Sequence, residues 1–177
     1  ALLWALDYNF KDHEGKVTLS SIKSTFLKPI RVGDSVSLFI EEEVEGKVII
    51  QLRHGTTTMS RVKFHWQNSG QVEGKVDLAM KAAQQKSPKE WSEDEIADAA
   101  GKIGLYLKIE EVTKNFPNLV RCLPLAQIAT IMGTTRLVGM ECPGLHSIYS
   151  ELDLLASNEH KEQSLHYEVT SFNKGFG

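Results

Sequence analysis

Cysteine and long apolar runs are both scarce in this chain of 177 residues, and each shortage excludes a class of protein. Cys122 and Cys142 are the two cysteines, and they flank a stretch with helical periodicity. At roughly 1.5 Å per residue that helix would hold them about 30 Å apart, which is too far for a disulfide. We therefore expect two buried thiols in a reducing cytoplasm. No apolar run reaches about 18 residues without a polar break, which argues against a membrane span.

The chain also lacks a large net charge and the short sequence motifs of common catalytic and metal sites. The net charge is -3, and lysine and arginine are scattered along the chain rather than clustered, so nucleic acid is not an expected partner. None of the 6 histidines has the spacing of HExxH, and the cysteines do not form CxxC. There is no GxSxG elbow and no glycine-rich phosphate loop. We expect no metal and no cofactor, and Ser-based hydrolysis has no motif to support it.

The composition that remains is ordinary for a globular chain, with 41% hydrophobic and 24% charged residues. It allows one core or two small ones. The chain opens at Ala1 with ALLWALDYNF, which reads as the tail of an apolar helix, and it closes beside a predicted strand with LHYEVTSFNKGFG. From these edges we expect a fragment of a longer protein.

Residues 1–80 predict a meander of four or five antiparallel strands after the helix tail, because alternating apolar segments are separated by turn signals. Residues 53–59 predict either a continued strand or a bulge. Residues 81–90 are polar and carry Pro88, so they predict a linker. The predicted strands are Thr18–Phe26, Ser35–Glu43, Val48–Leu52, Ser60–Trp66 and Val72–Met80.

Residues 91–177 predict helices followed by strands. Ser92 and Glu95 form a capping-box pattern for a helix over about 93–100, which Gly101 and Gly104 interrupt. Apolar residues at helical spacing predict a long enclosed helix from Leu123 to Met140. A Cys-Pro-Gly turn follows, and then one strand from His146 and another over 165–172. The expected class is α+β, an antiparallel sheet wrapped around a long central helix. Both parts contain the order helix tail, turn, strand, which suggests two related units.

Two segments carry a resemblance to a known family. FLKPIRVGD, residues 26–34, resembles the strand-turn signature of MaoC-like hotdog acyl-thioester hydratases and dehydratases, and CPGLHSIYS, residues 142–150, is similar to the turn after their central helix. The resemblance implies a double hotdog: 1–80 would be the first unit, truncated at its N terminus, and 91–177 the second, truncated at its C terminus. It also implies an acyl thioester of coenzyme A or acyl carrier protein, held near a subunit or pseudo-subunit interface. The substrate-binding candidates are Gly144, Leu145, His146, Ser147, Ile148 and Arg136.

The sequence also departs from that family. Catalytic members carry a Gly-Asp-x-Asn-Pro-x-His segment, and here Lys102 stands at the place of the Asp and Leu107 at that of the His. The family's His-Gly before the long helix is replaced near Ala126-Gln127. The second unit therefore looks catalytically silent, and the corresponding segment of the first would precede Ala1. The catalytic residues stay unknown.

Three functions remain open at this point. The first is a hydratase or dehydratase-like module whose catalytic pair lies elsewhere, and the second is a non-catalytic acyl-binding, dimerisation or scaffold domain. The third is a hotdog thioesterase, for which Asp7 and Glu151 are the candidate acids, although Glu151 better fits a solvated strand carboxylate. Arg121 and Arg136 could meet a phosphate or simply pair locally. A homodimer or pseudo-dimer through the sheet and a cytoplasmic location complete the expectations.

Overall fold

The computed structural model describes residues 2–70, 87–145, 147–156 and 164–171. The first of these ranges holds one helix and four strands: α1 Leu2–Asn9, β1 Lys16–Phe26, β2 Ser37–Val44, β3 Lys47–His54 and β4 Thr57–Ser69. The remainder holds α2 Glu93–Ala97, β5 Ala100–Gly104, α3 Ile109–Asn115, α4 Pro117–Cys122, α5 Leu125–Arg136, a π-helical turn Leu137–Glu141, β6 Glu151–Leu155 and β7 Ser164–Glu168. The α+β class is thus confirmed.

The predicted meander is present as three antiparallel neighbours, β2, β3 and β4. Gly46 turns β2 into β3 with φ 74°, and a Cβ there would lie 2.9 Å from the Trp66 carbonyl oxygen. The segment 53–59 is a second tight hairpin around Gly55, whose φ is 56°, with a register shift between Leu52 and Arg53. Gly55 explains why the strand reverses there. The predicted strand Val72–Met80 lies outside the described residues.

The main sheet has five strands in the order β2-β3-β4-β1-β6. β1 pairs with β4 on one side and with β6 on the other, both antiparallel, and the β6 register runs from Ser21 opposite Leu155 to Thr25 opposite Glu151. A strand from the C-terminal part therefore completes the sheet of the N-terminal part. The division into units 1–80 and 91–177 with a linker at 81–90 stays a prediction, since 71–86 lie outside the described residues.

Several predicted elements have different bounds or types. The capping box at Ser92 is confirmed, yet α2 ends at Ala97, and Gly101 and Gly104 lie in β5, which pairs with β7. The residue that pairs with Gly101 is Tyr167, 66 positions later in the chain, so periodicity near Gly101 could not reveal the pairing. The strand predicted from His146 begins only at Glu151. The strand predicted over 165–172 is β7, which ends at Glu168.

The long central helix is not evident. Its place is taken by α5, followed by the π-helical turn, and α3 and α4 precede it. Pro117 opens α4, where a missing N–H has no cost, and Pro124 separates α4 from α5. α5 buries one stripe, Ile128, Ala129, Ile131, Gly133 and Thr134.

The core lies between one face of the main sheet and the helices. Its fully buried members come from both parts of the chain, and Phe10 of the turn after α1 packs against Phe64 and Trp66 of β4. Asp7 of α1 accepts hydrogen bonds from the Leu119 N–H at 3.0 Å and from the Asn118 side chain at 3.0 Å. It thereby caps the start of α4, which has no capping side chain of its own.

Candidate functional site

A small groove lies where α5 meets the paired strands β1 and β6. Its volume is about 70 Å³, and its walls are mostly apolar. An engineered cavity of about 150 Å³ takes benzene, so this groove suits a chain of about two or three carbons. The lining residues belong to these three elements, except for the last, which directly follows β6: Leu19, Ser21, Ile22, Gln127, Thr130, Ile131, Leu154, Leu155 and Ala156.

Gln127 fixes one side of this groove to the sheet. Its side-chain oxygen accepts the Leu19 N–H at 3.0 Å, and its side-chain nitrogen donates to the Leu19 carbonyl at 2.8 Å. The β1–β4 register shifts between Leu19 and Ser21, which accommodates this contact. The position that departs from the family's His-Gly therefore holds an amide that joins helix to strand.

Ser21 and His65 form a close polar pair on the face of the sheet that points away from α5, the same face as Lys23. The Ser21 Oγ lies 2.8 Å from the His65 Nδ1, and both side chains are partly buried. The two residues face each other across β1 and β4. Sequence reasoning missed this pair, because 44 residues separate them and only the strand register brings them together. The pair could have been predicted only if the register between β1 and β4 had been known.

The predicted substrate-binding residues of the Cys-Pro-Gly turn do not line the groove. The Ser147 hydroxyl bonds to the carbonyls of Val138 at 2.8 Å and Gly144 at 2.7 Å, and the Leu145 N–H donates to the Lys89 carbonyl at 3.0 Å. Ile148 is 89% exposed. His146 lies outside the described residues. The structure gives Gly144, Leu145 and Ser147 a joining role between the π-helical turn and the segment before α2.

Arg136 lies on a different side of α5, in a second groove shared with α3. Its guanidinium stacks 4.1 Å over the Tyr106 ring and donates to the Gly104 carbonyl. This groove is larger, about 580 Å³, and open. Lys108 at its rim pairs with Glu111 at 2.9 Å. Arg136 is therefore separated from the turn residues with which the sequence grouped it.

The candidate acids and Arg121 have structural partners elsewhere. Asp7 caps α4, and Glu151 pairs with Lys23 at 3.0 Å on the solvent side of the sheet. Arg121 donates to the Phe10 and Lys11 carbonyls after α1. Neither carboxylate lines the small groove.

Lys102 and Leu107, at the positions of the family's Asp and His, are also apart from the groove. Lys102 is exposed on β5, and Leu107 is 3% exposed in the core. A core leucine can neither give nor take a proton.

Burial raises the pKa of both thiols, Cys122 and Cys142, and neither forms a disulfide. Burial likewise raises the pKa of Tyr149, whose ring stacks on Phe26 at 5.2 Å between centroids. Within the described ranges no cluster of His, Cys, Asp and Glu could hold a metal ion. None of the helices described is both long and apolar enough to cross a membrane.

Comparison of the chain with protein-family models, with curated proteins and with solved structures found no match in any of the three.

Proposed function

We propose that this chain is an acyl-thioester-binding module of the hotdog type, related to the hydratases and dehydratases, and that the groove between α5, β1 and β6 receives a short acyl group. The observation that carries the proposal is the place of the groove. The groove lies beside the antiparallel pair of β1, which follows α1, and β6, which follows α5.

The pairing supports two related halves. β1 follows α1, β6 follows α5, and the two strands run antiparallel with a continuous register. Equivalent strands related by a two-fold axis pair in this way, as at an isologous dimer interface. The β1–β6 joint would then be the pseudo-subunit interface at which the family resemblance implies the thioester.

The lining of the groove supports an acyl group rather than a charged ligand. Leu19, Ile22, Ile131 and Leu154 supply apolar walls. Thr130 adds a hydroxyl, which donates to the Ala126 carbonyl at 2.9 Å. No ionisable side chain is among the lining residues that the structure describes. Apolar walls with few polar groups are typical of small-molecule sites.

We propose that this chain binds the acyl thioester. The residues that the structure describes are not proposed to catalyse hydration. Hydration of an enoyl thioester needs an acid and a base within hydrogen-bond reach of the substrate. Asp7 and Glu151 are occupied elsewhere, and Leu107 is buried in the core. Within the described part, the non-catalytic acyl-binding alternative is therefore the better supported form of the proposal.

The test is calorimetric binding of butyryl-CoA to two matched variants of α5. Thr130→Phe fills the small groove, whereas Thr135→Phe places the same side chain in the second groove. We expect Thr130→Phe to weaken binding at least tenfold and Thr135→Phe to leave it unchanged. Absence of binding by the unaltered chain, or weakening by Thr135→Phe alone, would refute the assignment.

A hydration assay with a trans-2-butenoyl thioester then separates the remaining alternatives. Binding without hydration supports the acyl-binding module. Hydration by this chain would show that the interpretation of Lys102 and Leu107 as non-catalytic is wrong.

A further inference from the structure

We infer that the second groove binds a free alkyl carboxylate of medium chain length, and that Arg136 receives its carboxylate group. Met132, Thr135 and Arg136 line this groove from α5 at the spacing i, i+3, i+4, which places them on one stripe of the helix. The small groove contacts a different stripe of α5. The inference therefore concerns a separate site and goes beyond the acyl-thioester binding proposed above.

The Arg136 guanidinium is held in place but has no carboxylate partner in the part of the chain that the structure describes. It lies 4.1 Å over the Tyr106 ring, and one of its nitrogens donates to the Gly104 carbonyl. A guanidinium has five N–H donors, so the bond to Gly104 leaves donors for a ligand. The planar arrangement of these donors matches the two oxygens of a carboxylate.

The charges that line the second groove favour a ligand with a single negative charge. Lys108 and Glu111 form an ion pair at 2.9 Å, and more than half of each side chain is exposed. This pair has no net charge, so Arg136 gives the groove one excess positive charge. A monoanion balances that charge, whereas a cationic ligand would be repelled.

The remaining walls of the second groove suit an alkyl chain. They include Leu3 of α1, Val112 and Phe116 at α3, Met132 of α5 and Met140 of the π-helical turn. Methionine side chains are flexible and adapt to apolar ligands of irregular shape. The volume of about 580 Å³ gives room for a chain that the small groove, at about 70 Å³, cannot hold.

The π-helical turn contributes an open part of the wall. Gly139 and Met140 of this turn both line the groove, and a Cβ built on Gly139 would have no neighbour within 4 Å. Single π-helical turns within helices are frequent at functional sites. The turn therefore leaves space beside Arg136 instead of closing the groove.

The experiment is a titration of the full chain with decanoate, followed by NMR of the methionine methyl groups. We expect the Met132 and Met140 resonances to shift until the site is saturated. The Met59 resonance should stay in place, because Met59 belongs to β4 and does not line the groove. Decanamide has the same alkyl chain without the charge and should bind at least about tenfold more weakly, because it loses a charged hydrogen bond.

Matched variants separate the role of Arg136 from a general effect of charge. Arg136→Gln should weaken decanoate binding at least about tenfold and abolish the preference over decanamide. Lys114→Gln is the control, because it removes an exposed positive charge of α3 outside the groove. Thr135→Phe fills the second groove and should weaken both ligands, whereas Thr130→Phe should change neither. Circular dichroism establishes that each variant is folded.

Equal binding of decanoate and decanamide by the unaltered chain would overturn the inference, and that comparison needs no variant. Absence of saturable shifts at Met132 and Met140, or equal effects of Arg136→Gln and Lys114→Gln, would overturn it as well. If the chain binds butyryl-CoA in the small groove but does not bind decanoate, this inference alone fails. Decanoate binding without butyryl-CoA binding would remove the proposed function and retain the Arg136 site.

Discussion

Gly144 illustrates how one residue determines the course of the chain after α5. Its φ is 81°, in the region that favours glycine, and a Cβ at this position would lie 2.2 Å from the Lys89 carbonyl oxygen. The sequence predicted a turn at Pro143-Gly144, and that turn is present. The sequence did not predict that the segment before α2 would pack directly against it.

Replacement of Gly144 by Ala should lower the free energy of unfolding by about 3 kcal/mol, because the new methyl group meets backbone and the φ is strained. Gly139→Ala is the control, since that glycine is exposed and a Cβ there has no neighbour within 4 Å. Urea unfolding of both variants measures the difference. Equal midpoints would contradict the close approach of Lys89 to Gly144.

At the scale of single elements, β2 is an edge strand joined to the inner strands by side chains as well as by its backbone. Glu41 accepts hydrogen bonds from the Arg61 side chain at 2.8 and 2.7 Å and from Gln51 at 2.8 Å. The Arg61 hydrogen bonds, with a further contribution from Gln51, lower the pKa of Glu41 from 4.5 to about 2. This carboxylate therefore connects β2 across β3 to β4.

The lowered pKa predicts a pH dependence with a definite sign. A carboxyl group whose pKa is lower when folded stabilises the fold above its unfolded value of 4.5, and that contribution is lost as the pH falls towards about 2. The stability difference between the unaltered chain and Glu41→Gln should be largest near neutral pH and shrink below about pH 4.5. Urea unfolding across this range measures it. Glu43→Gln, on the same strand, is the control, and a Glu41→Gln difference that stays constant with pH would contradict the assignment.

At the scale of the whole molecule, the β1–β6 joint connects the two parts of the chain. The Phe26 N–H donates to the Ser150 carbonyl, and the Ala156 N–H donates to the Ser20 carbonyl. Hydrogen-bonded and non-hydrogen-bonded residue pairs alternate along an antiparallel ladder, so these two bonds show which backbone groups of β6 face β1. The Leu154 N–H consequently points toward β1, and the Asp153 N–H points toward the open edge. The groove proposed for the acyl group exists only while this joint is formed.

Leu154→Pro should therefore destabilise the fold by about 2 kcal/mol or more, because proline removes a ladder hydrogen bond and a leucine side chain that is partly buried against the core. Asp153→Pro, one residue earlier, removes an edge N–H and an exposed ion pair to Lys23, and should cost much less. Hydrogen exchange of the β1 amides, together with thermal unfolding, provides the measurement. Equal losses in the two variants would refute the pairing.

The sequence by itself determined the elements whose causes are local. Alternation placed β1 to β4, the capping box placed the start of α2, and the Cys-Pro-Gly turn ended the helical stretch. It also favoured the α+β class. Each of these features depends on residues that are close together in the chain, and such residues can be compared directly in the sequence.

Only the tertiary structure decided which distant segments meet. It brought β5 to β7, β6 to β1, Gln127 to Leu19 and Ser21 to His65, and it separated Arg136 from the residues of the Cys-Pro-Gly turn. The physical reason is that strand register and helix packing follow from burial summed over the whole chain, and a one-residue change of register would place every side chain of a strand on the opposite face.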